Sequence, residues 1–162
     1  LYLIQQPMKK CLIATILGLL SCATQAQQAS WVPFAKAEDA VQYRQSAFKL
    51  LEHHFARLNK MARGTDPYDA TIALQDAAAV QLMSRLPFHA FVSGTAAPFA
   101  KSRATDLVWS ASPRFVESAA QLQASADIMA QATAVGDINR LKAAASDAAM
   151  SCRRCHDQFR VR

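Results

Sequence analysis

Glycine is scarce in this chain, four residues in 162, and valine, isoleucine and threonine are few beside a large excess of alanine. That balance withholds the residues that favour sheets and tight turns and supplies strong helix formers, so composition favours helix over sheet. Blocks of like charge are missing too. The formal charge is +6, but lysines and arginines alternate with acids along the whole sequence, and without a concentrated basic patch nucleic acid is excluded as a partner. There is no internal repeat, no low-complexity tract and no second domain, and 162 residues suffice for one domain with a real core. No apolar run reaches membrane-spanning length: the run at 11–20 has the length of a signal-peptide h-region.

That run follows Met8-Lys9-Lys10, a basic start, and precedes Thr24-Gln25-Ala26, a small-residue cleavage site. Residues 1–26 therefore read as a leader with Met8 as the start, and 27–162 as a mature domain exported to the periplasm. Cleavage takes away two lysines and no acid. A rival reading takes Leu19-Leu20-Ser21-Cys22 as a lipoprotein box with Cys22 lipidated, although Leu20 is large for its place in such a box. Either way, of the four cysteines only Cys152 and Cys155 remain for structure or chemistry.

The apolar residues recur every three or four positions in four stretches, which predicts four amphipathic helices. The first covers 37–61, with Val41, Phe48, Leu51, Phe55, Leu58 and Ala62 on its stripe and Gly64 beyond its end. The second covers 69–86, with Ile72, Ala79, Leu82 and Leu86 on one face, ended by Pro87. A long loop at 87–111 carries Phe91 and Trp109 as anchors. Its length suggests a crossing between bundle ends or a functional edge. Ser112 and Pro113 open the third helix as N-cap and first turn, with Phe115, Ala119, Leu122, Ala126, Met129 and Thr133 facing inward. Gly136 stops it and Asp137 caps the fourth, whose stripe is Ile138, Leu141, Ala145, Ala148, Cys152, Cys155 and Phe159. Four such helices read as an all-α, antiparallel up-down-up-down four-helix bundle.

Cys152-Arg153-Arg154-Cys155-His156 closes the fourth helix. Cysteines three apart share a helix face, so two sulfurs can each bond one vinyl group of a single porphyrin while the next histidine ligates the iron. This reading puts one covalent haem c near the C-terminal helix, with His156 as axial ligand. A thioredoxin-type disulfide would want the motif at a helix N-terminus after a strand. A zinc site would need a fourth ligand such as His54 or His89. Arg44 and Gln45 interrupt the first stripe. One account makes them the solvated, frayed end of the bundle; the other has them meet the haem propionates, since arginine pairs well with carboxylates. Phe48, one turn further in, reads by itself as core packing.

These residues resemble the bacterial cytochromes c′ over nearly all of the mature sequence. The likeness rests on Glu38-Asp39-Ala40-Val41-Gln42-Tyr43-Arg44-Gln45-Ser46-Ala47, on Pro67-Tyr68-Asp69-Ala70, on Leu86-Pro87-Phe88, and on Cys152 through Arg160. Cytochromes c′ are themselves a standard example of the up-down-up-down bundle, so the fold expectation is not independent of the likeness. The resemblance implies a periplasmic, usually dimeric haem protein with high-spin, five-coordinate iron held by His156 alone. It matches Arg44 and Gln45 to propionate contacts, and Arg160 to a basic residue beside the proximal histidine. It sets Phe48 over the vacant distal face and Phe88 where a tryptophan is common. It also suggests a dimer contact near His54, whereas His53 points away from the stripe. Low-spin relatives of the cytochrome c-556 type carry methionine at the Phe48 position. Phenylalanine cannot ligate iron, and the methionines at 61, 83, 129 and 150 read as core filling. The loop between Phe91 and Trp109 departs from the family pattern.

Three functions are open to such residues. A gas-binding haem protein fits a crowded distal face: Phe48 offers no donor to steady bound oxygen, and nitric oxide depends least on one. An electron carrier, including the low-spin c-556 type, would use the basic surface to steer an acidic redox partner. An enzyme such as a peroxidase would need an acid-base pair that the distal face does not offer.

Overall fold

Two aspartates start two of the long helices. The structure, a computed structural model, describes residues 34–162; the expected leader at 1–26 and the lipidation site at Cys22 lie outside the described residues. Asp69 accepts a hydrogen bond from the Ile72 amide at 2.9 Å, and Asp137 from the Arg140 amide at 2.9 Å. Each satisfies one of the amides that a helix N-terminus leaves unpaired. The helices are α1 (Ala37–Arg63), α2 (Ala70–Met83), a four-residue turn α3 (Leu107–Ser110), α4 (Ser112–Ala134) and α5 (Ile138–Phe159). Gly64 and Gly136 end α1 and α4 with φ of 73° and 68°, a left-handed conformation that glycine adopts without steric cost.

The four long helices form a closed square: α1 packs on α2 and α5, and α4 packs on α2 and α5. Short turns after α1 and α4 make those neighbours antiparallel, and the long segment between α2 and α4 folds back over α1. This is the expected all-α four-helix bundle. Its main core runs through Leu51, Leu58, Met61, Val80, Leu122, Met129 and Leu141 with many alanines, which let the helix backbones approach closely.

The stripes of α1 and α4 are inward as read, and so is that of α5 beyond Ile138, which is exposed. The face assigned to α2 is corrected. Leu82 is 56 % exposed, Ile72, Ala79 and Leu86 are only partly covered, and the buried face is Ala73, Asp76, Ala77 and Val80. Helix α2 is apolar on nearly every side, so its periodicity carries little information. It also ends at Met83, and Leu86–Ala90 forms a separate 3-10 turn. Ser112 is corrected as well: it lies inside α4, Ala111 occupies the N-cap position, and no side chain caps that end.

The segment at 87–111 is more structured than a loop. Beyond the first 3-10 turn it contains a second one at Phe99–Lys101, then α3. It pairs with the C-terminal tail: the Thr105 amide donates to Phe159 O at 2.9 Å, and the Val161 amide to Arg103 O at 2.8 Å. The segment is thereby fastened to the end of α5 that carries the cysteine motif.

Candidate functional site

Helical spacing brings Cys152 and Cys155 to one side of α5, where both are partly buried and unpaired. Cys152 packs against the main core, and Cys155 against a second apolar cluster of Ala104, Val108, Phe115 and Phe159. The two thiols thus straddle a seam, and Phe88 touches both sides of it. Burial pushes the Cys155 thiol up to about 11, with the neighbouring Cys152 adding to the effect, and burial raises Cys152 too. Thiols so disposed are kept protonated, unlike the acidic cysteine of a thioredoxin-type motif.

Phenyl rings from four elements wall the seam. Phe48 of α1 meets Phe88 edge-on at 5.8 Å between centroids and Phe91 at 6.4 Å. Phe115 of α4 lies 4.8 Å from Phe91 and 5.3 Å from Phe159. Phe48 and Phe88 were singled out from the sequence. In the sequence Phe91 reads only as an anchor, and Phe115 and Phe159 only as stripe residues. The signal that could have joined them is the recurrence of phenylalanine on α1, in the segment after α2, on α4 and on α5.

His156 is exposed on α5. Its pKa is lowered, first by partial burial and then by Arg160, with Asp157 opposing, Arg103 adding a smaller push down and Glu52 a smaller one up. The Arg160 amide caps α5 by donating to His156 O at 3.2 Å. Burial, helped by Arg160, favours the neutral form of the ring that metal ligation requires.

Arg44 is buried, with 3 % exposure, so its account as a solvated, frayed helix end is corrected. Its terminal nitrogens donate to Ala90 O at 3.0 Å, to Thr95 Oγ1 at 2.7 Å, to Thr95 O at 2.8 Å and to Ser102 Oγ at 2.7 Å. The guanidinium also lies 4.4 Å over the Phe91 ring. Gln45, exposed, donates to Lys101 O at 3.1 Å. Both residues hold the 91–102 segment, a role not visible in the sequence. Burial lowers the Arg44 pKa to about 10, and among the described residues no carboxylate pairs with it. A buried cation whose partners are all neutral fits an anionic group such as a haem propionate, which would complete its charge. Paired thiol positions, an apolar seam and an uncompensated buried cation together fit a covalently held haem.

Of the alternative partners of the motif, His54 is engaged elsewhere. His54 Nδ1 lies 2.8 Å from Asp76 Oδ1, within the chain, and Arg57 binds the same carboxylate at 2.6 Å. Among the described residues no three histidine, cysteine or acidic side chains group to hold a metal ion.

Fold and site define a c-type haem protein built on a four-helix bundle. Comparison with known proteins gives the family. The sequence model described as Cytochrome C' matches residues 39–160. A cytochrome c' from Rubrivivax gelatinosus is 39 % identical over 127 residues, covering 78 % of this chain and 98 % of the relative. The crystal structure of cytochrome c' from Rubrivivax gelatinosus superposes with a TM-score of 0.75 at 38 % identity, over 80 % of this chain and 100 % of the other. A nitric oxide complex of a mutant cytochrome c prime from Alcaligenes xylosoxidans superposes at 0.74, with 35 % identity over 80 % of this chain and 99 % of the other. The chain belongs to the cytochrome c′ family. It is a periplasmic c-type haem protein with one covalent haem c, a carrier rather than an enzyme.

Proposed function

We propose that this protein binds nitric oxide at a haem iron held by His156, beneath an apolar distal face formed by Phe48. Cys152 and Cys155 supply the thioether bonds, Arg44 and Gln45 face the propionates, Phe88 lines the haem and Arg160 flanks the proximal histidine. When bound, the haem would supply an iron able to take up a diatomic gas. The observation that carries the reading is the Phe48 ring packed on Phe88 and Phe91: a wall of hydrocarbon that presents no hydrogen-bond donor. Such a wall excludes water and gives bound oxygen nothing to lean on, which leaves nitric oxide favoured. The nitric oxide complex of the Alcaligenes xylosoxidans relative supports the same chemistry.

The alternative, a low-spin electron carrier of the cytochrome c-556 type, needs a sixth ligand. Met61 and Met129 are in the main core, Met83 packs beside it, and Met150 is 41 % exposed on α5. Optical spectra of the holo-protein, oxidised and reduced, with and without nitric oxide, separate the two. A broad high-spin spectrum that changes with the gas is expected. A sharp low-spin spectrum indifferent to it overturns the reading and makes electron transfer the function.

Residues 1–26 act as the export leader in this reading, and the intact mass of the exported protein tests the cut site and lipidation at Cys22. A redox partner would be acidic, since exposed Arg103, Arg153, Arg154, Arg160 and Arg162 surround the motif; its reaction rate should fall as salt rises. Homodimers form through the outer face of α2, where Leu74 and Leu82 are 47 % and 56 % exposed, together with Leu50, one turn before His54 on α1 and 50 % exposed. Leu74→Gln with Leu82→Gln is expected to shift sedimentation toward the monomer.

A further inference from the structure

The 91–102 segment is held in a conformation it would not choose alone. Ala100 and Lys101 have consecutive positive φ angles of 46° and 60°, which residues with a Cβ adopt at a steric cost. The contacts that hold the segment converge on α1. Gln45 binds the carbonyl of Lys101, and Arg44 binds Thr95 and Ser102 on either side of the turn. Both hydroxyls serve twice: Thr95 Oγ1 accepts from Arg44 and donates to Val92 O at 2.7 Å, while Ser102 Oγ also accepts from the Ala104 amide at 3.2 Å. The same guanidinium lies over the Phe91 ring, and Phe91 lies against Phe48. One buried side chain therefore joins a strained surface segment to the ring that backs the proposed distal wall.

We propose that Arg44, Thr95 and Ser102 form a latch that fixes Phe91 behind Phe48 and so sets how fast a diatomic gas reaches the haem. The proposal rests on Phe48 covering the gas-binding face. The physical chain is short. Phe48 is backed by Phe88 at 5.8 Å and by Phe91 at 6.4 Å, and the guanidinium holds the second of these rings in place through the segment. Loss of one latch hydroxyl leaves part of the buried guanidinium unsatisfied, favours release of the strained turn, and raises the fraction of time in which Phe91 is displaced. A gate of this kind changes the rates of entry and exit together and leaves the affinity where it was, because the closed pocket and its ligand are unchanged. Thr95, Ser102 and Phe91 would then be rate-setting positions that act through Phe48 rather than on the iron.

The test uses reduced holo-protein and carbon monoxide as the probe, with association followed by stopped flow and release by ligand replacement. Thr95→Val keeps the shape and removes the hydroxyl, Ser102→Ala removes the other, Phe91→Leu bypasses the latch, and Phe48→Ala reports on the wall itself. Expected are faster association and release, by about fivefold for each latch variant, the change a gating equilibrium shows on losing one net hydrogen bond, with an unaltered spectrum and dissociation constant. If Thr95→Val fails to retain haem, Phe91→Leu carries the test, since it leaves Arg44 and both hydroxyls in place. If Phe48→Ala accelerates binding while Phe91→Leu and the latch variants match the parent, the latch is overturned and the Phe48 reading stands. If Phe48→Ala leaves the rate unchanged, the distal-wall reading is overturned and the latch with it. A change in affinity or spin state without matched rates shows a merely structural role and also overturns the proposal.

Discussion

Opposite ends of the bundle are finished in different ways. At the end formed by the α1–α2 and α4–α5 turns, both helix starts are capped by aspartate and both preceding helices stop at glycine. The core there is aliphatic. The single buried acid, Asp76, lies midway along α2 and is met by Arg57 and His54 from α1. At the end that carries the cysteine motif, neither α1 nor α4 has a side-chain cap, the packing is aromatic, and the buried cation Arg44 has only neutral partners. The first region is complete as a polypeptide. The second keeps a buried cation without an anionic partner beside an apolar seam, a combination that fits the haem of the proposed site.

The largest effect expected is on that second end. Cys152→Ala with Cys155→Ala should abolish covalent haem, read as an intact mass equal to the polypeptide alone. Amide exchange of that variant against the holo-protein should show protection lost over 86–111 and the end of α5, and retained around Asp69 and Asp137. Uniform loss of protection would remove the distinction between the ends. Next in size is Asp76→Ala. Removing one member of a buried ion pair costs ~3–5 kcal/mol when the survivor stays buried. Arg57 is 43 % and His54 28 % exposed, so water takes up part of the loss, and about 2–3 kcal/mol is expected in urea unfolding. Burial alone would raise the Asp76 pKa; the hydrogen bonds from Arg57 and His54 outweigh it and hold the carboxyl below its ordinary value. Its stabilisation is therefore full above the usual carboxylate range and lost as pH falls through the lower folded-state value. Asp76→Asn should flatten the acid limb of stability against pH.

The cysteine motif was legible because its five residues are contiguous and their spacing is itself the chemistry. The α4 stripe was legible because polar residues separate its apolar ones cleanly. On α2 the pattern misleads: alanine covers so much of the helix that leucines mark no face, and the buried side is built around Asp76, which a hydrophobic reading passes over. Arg44 shows the other limit. A charge on an apolar stripe signals that something unusual happens there, but its partners Thr95 and Ser102 are more than fifty residues away. Only the folded segment, with its turn at Ala100 and Lys101, brings them to it. The aromatic wall is hidden for the same reason, since each ring arrives on a different element.

The smallest effect sharpens the comparison most. Asp137→Ala removes one side-chain hydrogen bond to the Arg140 amide and leaves the packing untouched, a loss of about 1 kcal/mol for an N-cap. Because α5 begins at the complete end and closes with the motif, the variant asks whether the helix transmits a disturbance along its length. Fraying should stop within the first turn, where Ile138 and Arg140 are already exposed and Leu141 anchors the core. The expected result is a lowered unfolding midpoint with the haem spectrum and the carbon monoxide rates unchanged. A spectral or kinetic change would mean that the ends are coupled through α5, and the haem site would then have to be understood as a property of the whole bundle.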